Sequence, residues 1–76
     1  ETTKIYPNPV QNLLTIESVE KMTHISIFNS TGAIVNEKNI IESNLEVVDL
    51  SDMNTGIYFI HIITRNEIKI SKIIKR

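Results

Sequence analysis

Chemistry in this 76-residue chain would have to come from two histidines, scattered serines and nine acidic residues. His24 and His61 lie far apart in sequence, each at an alternating position suited to a solvent-facing strand residue. A zinc site needs three or four ligands and a supporting outer layer of hydrogen bonds. No HxH, HxxxH or adjacent acidic pair supplies them, so both histidines read as surface residues. No serine sits in a Gly-x-Ser-x-Gly elbow. The carboxylates stand singly, without the pairing that acid and base catalysis uses. Two glycines in total cannot build a phosphate-cradling loop. Asn29-Ser30-Thr31 matches a glycosylation sequon, but these residue types are expected in a turn, and the turn reading is preferred. Tyr58 lies in the most apolar run and is expected in the core with its hydroxyl satisfied, whereas Phe28 and Phe59 could face either way. These residues imply no enzyme, no cofactor and no metal.

Charge narrows the partners. A formal net charge of −1 leaves no electrostatic footprint for nucleic acid. Lys72, Lys75 and Arg76 form a basic cluster too short for a strong polyanion site. No apolar run approaches the roughly 18 residues of a membrane span. Glu1 to Val10 is polar and broken by two prolines, so any signal for inner-membrane export is expected elsewhere on a longer precursor. The chain has no cysteine, so neither a disulfide nor a thiolate metal site can staple it.

The elements that must position these residues are strands. Apolar residues make up 41% of the chain, with Ile by far the commonest; its branched side chain loses freedom in helices and suits a pleated surface. Residues 1–4 are expected to end a linker within a single domain spanning 1–76. Lys4-Ile5-Tyr6 is a short extended lead-in stopped by Pro7-Asn8-Pro9, because proline cannot donate to a ladder and restrains its predecessor. Asn12 to Ser18, with Leu14 and Ile16 on one face, precedes a polar break through Lys21. Thr23 to Asn29 alternates again and turns at Ser30-Thr31-Gly32, where Gly32 is free to take positive φ. Ala33 to Lys38 returns, Asn39 to Asn44 is expected to loop, and Leu45 to Leu50 follows. Met53 is the one apolar residue of the next loop and is expected beneath it. Gly56 is expected to ease the chain into the central strand, Ile57 to Thr64, and Ile68 to Lys75 closes the set. Short strands punctuated by turns predict an all-β sandwich of about seven strands, centred on Leu14, Ile16, Ile25, Ile27, Leu50, Tyr58, Ile60 and Ile62.

The order of these features resembles the type A C-terminal sorting domain of the type IX secretion system of Bacteroidota. The residues concerned are Tyr6-Pro7-Asn8-Pro9, Leu14-Thr15-Ile16, Ile25 to Asn29, Thr31-Gly32, Val48-Asp49-Leu50-Ser51, Met53, Gly56-Ile57-Tyr58-Phe59 and Lys72-Ile73-Ile74-Lys75. Two positions depart from the pattern: Ala33 stands where a basic residue often follows the turn glycine, and Met53 where Leu is usual.

The resemblance implies an Ig-like antiparallel β-sandwich that does no chemistry. It implies a larger N-terminal cargo, outer-membrane secretion machinery that recognises the domain in the periplasm, and a sortase-like surface peptidase that removes it. Cargo would then be joined to an anionic lipopolysaccharide at the cell surface or released. Alongside it, the last strand is expected to be the docking edge, with Lys69, Lys72 and Lys75 on one face and Ile73 and Ile74 presented to a partner. A carbohydrate-binding or adhesive sandwich, and a structural spacer, are the alternative readings.

Overall fold

A computed structural model describes residues 3–76. Its strands are β1 (Thr3–Tyr6), β2 (Leu13–Asn29), β3 (Ile34–Asp49), β4 (Gly56–Thr64) and β5 (Ile68–Lys75). All pairings between them are antiparallel, in the order β1-β2-β4-β5 with β3 also on β2. The fold is all-β as expected, but the count is five continuous strands and not seven. The two segments expected to interrupt the ladder, Val19 to Lys21 and Asn39 to Asn44, both lie inside strands. Thr3 and Lys4 belong to β1, opposite Ser18 and Glu17, while residues 1 and 2 of the expected linker end lie outside the described residues.

Polar residues continue the strands here because they bend them. The register of β2 against β3 shifts between Glu17 and Met22 and again between Met22 and His24. Glu42 takes a positive φ of 31°, and Asn44 Nδ2 donates to the carbonyls of Ser18 and Val19 at 2.9 Å each. Extra residues of this kind kink a ladder, so one ribbon can turn a corner and pack on itself. The first half of β2 lies between β1 and the second half of β3. Its second half lies between the first half of β3 and β4, with β5 beyond. The result is two leaves made from one curled sheet. Ile41 sits on the outside of the corner and is 98% exposed, while its neighbour Ile40 is buried.

The eight residues expected at the centre are all buried between the leaves. Val10, Met22, Ile40, Val48 and Ile73 join them, and Met53 packs against the cluster from its loop. Lys38 Nζ meets Glu46 Oε1 at 2.8 Å, tying the two halves of β3 across the bend. That bond holds the Glu46 carboxyl below its ordinary range, although partial desolvation opposes it.

Candidate functional site

The residues that carry the sequence motif gather at the open end of the curled ribbon, opposite the corner. β2 starts there at Leu13 and returns there at Asn29, where the hairpin to β3 begins. Asn29 organises that turn. Its Oδ1 accepts from the Thr31 backbone at 3.1 Å, the Thr31 hydroxyl at 2.8 Å and the Ala33 backbone at 2.9 Å. Gly32 has the expected positive φ, 91°, a conformation L side chains rarely adopt. The side chain of the sequon asparagine is thus a turn brace.

Across the same end, Leu50 donates its N–H to Asn12 O at 2.7 Å and Met53 donates to Leu50 O at 3.0 Å. Asp49 Oδ1 accepts from Ser51 N at 2.9 Å, and its bonds to Ser51 lower its carboxyl pKa. Tyr58 is buried and its hydroxyl donates to Asn54 O at 2.7 Å, closing the loop that holds Met53. Gly56 pairs with Lys75 at a φ of 158°. A Cβ there would meet the Tyr58 ring at 4.0 Å, an ordinary contact.

The Pro7-Asn8-Pro9 segment does more than end β1. Asn8 Nδ2 donates to Lys72 O at 3.1 Å, and Asn8 Oδ1 accepts from Ile74 N at 3.0 Å. One side-chain amide therefore takes the place of a neighbouring strand's peptide group. Val10 continues the seal as a parallel bridge to Lys75: it donates to Ile74 O at 2.8 Å and accepts from Arg76 N at 2.9 Å. Val10 is itself fully buried. The spacing gives a side-chain signal for this seal only in hindsight, because Asn8 sits between two prolines and looks like loop.

Part of the expected docking edge is already occupied. The backbone of β5 from Lys72 onward is already paired on both sides, to β4 and to Asn8–Val10. Ile73 is fully buried, so only Ile74 of the pair faces out. Strand alternation puts Lys72 on the outer face with Ile68, Ile70 and Ile74, whereas Lys69 and Lys75 share the inward face with Ile73. Lys75 is buried, with its Nζ donating to Arg76 O at 2.8 Å.

His24, His61 and Tyr6 have structural partners. His24 contacts Asn39 Oδ1 at 2.7 Å through Nδ1 and Glu37 Oε1 at 3.0 Å through Nε2. His61 packs on Phe28 with ring centroids 4.3 Å apart, and both Phe28 and Phe59 lie half-buried on the outer face of the second leaf. Tyr6 donates its hydroxyl to Glu17, which raises the phenol's pKa. Among the described residues, no group of three or more His, Cys, Asp or Glu could hold a metal, and no helix is long and apolar enough to cross a membrane.

Asn8, Asn29, Leu50 and Tyr58 of the motif thus brace one end of the fold. The model of the secretion system C-terminal sorting domain matches residues 4–76. The chain belongs to that family. Comparison with curated protein sequences finds no match. As a member, the sorting domain is a non-catalytic C-terminal signal for type IX secretion, which directs export across the outer membrane to the cell surface or extracellular space.

Proposed function

We propose that this sorting domain is the address of a larger N-terminal cargo that reaches the periplasm first. There the outer-membrane machinery reads the folded domain, and a sortase-like peptidase at the surface cuts it away. Any enzymatic activity of the precursor belongs to the cargo. The observation that supports this reading is the family match running through the whole described fold, from Lys4 to Arg76. A sorting signal must be uniform while its cargo varies, and a self-contained core with no buried polar side-chain atom left unpaired, among the described residues, supplies that uniformity.

The test is a periplasmic reporter carrying residues 1–76 at its C-terminus, expressed in a bacterium with type IX secretion. The reporter is expected at the surface or in the medium, shortened by the domain. A folded fusion that stays in the periplasm refutes the address. Export with the domain still attached refutes the cleavage step alone.

A further inference from the structure

The outer face of the second leaf holds a continuous apolar field with one charge in its midst. Cross-strand register places Phe59 beside Lys72, Ile57 beside Ile74 and His61 beside Ile70, with Ile68 next in line. Ile68 and Ile70 are 60% and 63% exposed. Lys72 is exposed as well, and no ion pair holds it among the described residues. The acid on this side of the sheet, Glu37, is engaged by His24. The outer face of the first leaf also exposes apolar residues, Tyr6, Leu13, Leu45 and Val47, but it interleaves them with Lys4, Thr15, Glu17 and Asp49, so charges of both signs break it up. A contiguous exposed apolar patch of this kind marks an interaction surface.

We propose that this face, formed by Ile57, Phe59, Ile68, Ile70 and Ile74 around Lys72, is what the export apparatus docks against, through an apolar protein surface that offers a carboxylate to Lys72. The proposal rests on the sorting-signal reading and adds the surface and the chemistry of its partner. Charge complementarity selects that partner. Desolvating Lys72 within an apolar contact is unfavourable unless an acidic group meets it, and the domain itself leaves none on that face. The edge of β5 beyond Lys72 is sealed by Asn8 and Val10, so a partner adding a strand there would first have to displace them. The face needs no such opening.

The experiment compares three versions of the reporter fusion: the intact chain, a Lys72→Glu/Ile70→Thr double variant, and a Leu45→Thr/Val47→Thr control on the other leaf. Threonine keeps strand propensity at each exposed site. Urea unfolding of each isolated chain verifies the fold, and sedimentation reports its association. Export of the first variant is expected to fall about tenfold or more, the effect of losing about 1.4 kcal/mol of docking, with the control exported like the parent. A Lys72→Gln variant is expected to lie between, since it removes attraction without adding repulsion. If the double variant folds and is exported normally, the docking face is wrong while the address stands. The same conclusion follows if the control alone fails. If the intact chain is a dimer that the double variant dissociates without loss of export, the face belongs to a second copy and the proposal is overturned. Failure of the intact fusion would instead remove the sorting reading beneath it.

Discussion

Replacing Asn8 by Ala removes two hydrogen bonds, one to Lys72 O and one from Ile74 N, without touching the core. A net intramolecular hydrogen bond contributes about 0.5–1.5 kcal/mol, and Asn8 is exposed, so values toward the low end apply. The expected loss is about 1–2 kcal/mol. Against the roughly 4–11 kcal/mol typical of a chain this long, that is readable as a lower urea midpoint at constant slope. Asn8→Asp separates the two bonds. The carboxylate still accepts from Ile74 N but can no longer donate to Lys72 O, which it now faces as a second acceptor. It is expected to cost at least as much as Ala. Hydrogen exchange locates the effect: the amides of Ile74 and Arg76 should lose protection in both variants before those of Ile60 and Ile62 do. A urea midpoint shift worth less than about 0.5 kcal/mol, the range of an ordinary surface change, together with unaltered protection at Ile74, would show that the side chain does not seal the strand.

Tyr58→Ala is expected to cost about 3–5 kcal/mol because it empties a buried aromatic site, while Tyr58→Phe should cost only about 1 kcal/mol for the lost bond to Asn54 O. Urea unfolding of both variants checks this, and equal losses would mean that the hydroxyl, not the ring, carries the site. Acid should weaken the fold through Glu46 and Asp49, whose carboxyls sit below their ordinary values of 4.5 and 3.8. Their contribution is complete above those values and is lost as pH falls through the lowered folded-state ones, since the unfolded chain takes up the protons first. Glu46→Gln should flatten stability against pH below 4.5, and an unchanged slope would discount the Lys38 pair.

How much of this was legible in the sequence depends on whether a residue's role is set by its own strand. Period-two alternation identifies Leu14 and Ile16, or Ile60 and Ile62, because burial on one face needs no knowledge of the partner strand. The break at Val19-Glu20-Lys21 misleads for the same reason. Polarity there looks like the end of a strand, yet the extended chain continues through a register shift around a corner and pairs again at Met22. Asn39 to Asn44 misleads likewise, and only Ile40 finds cover. Met22 and Val48 are buried by the way the two leaves close, which no local pattern specifies. At the candidate site, strict alternation through Ile68, Ile70 and Ile74 gives the face of Lys72, which the expected grouping with Lys69 and Lys75 missed. Its neighbours Phe59 and Ile57 depend on the register of β4 against β5, which only the structure supplies.

The seal on β5 changes what the end of the chain can be asked to reveal. Residues 72–76 look separable in sequence, a basic and Ile-rich tail. In the fold they include Ile73, fully buried, and Ile74, whose N–H and C=O are held by Asn8 and Val10. Removing them would open the core and free the Pro7-Asn8-Pro9 segment together, so a loss of export would report unfolding as readily as lost recognition. Substitutions confined to the outer face separate the two, because Lys72 points away from the core while its backbone keeps its pairings to β4 and Asn8. The motif thus serves two parts of one design, since Ile57, Phe59, Lys72 and Ile74 of the docking face belong to it. Its Asn8, Asn29 and Tyr58 close the open end of a curled sheet, and the apolar outer face of the second leaf is where a partner can read it.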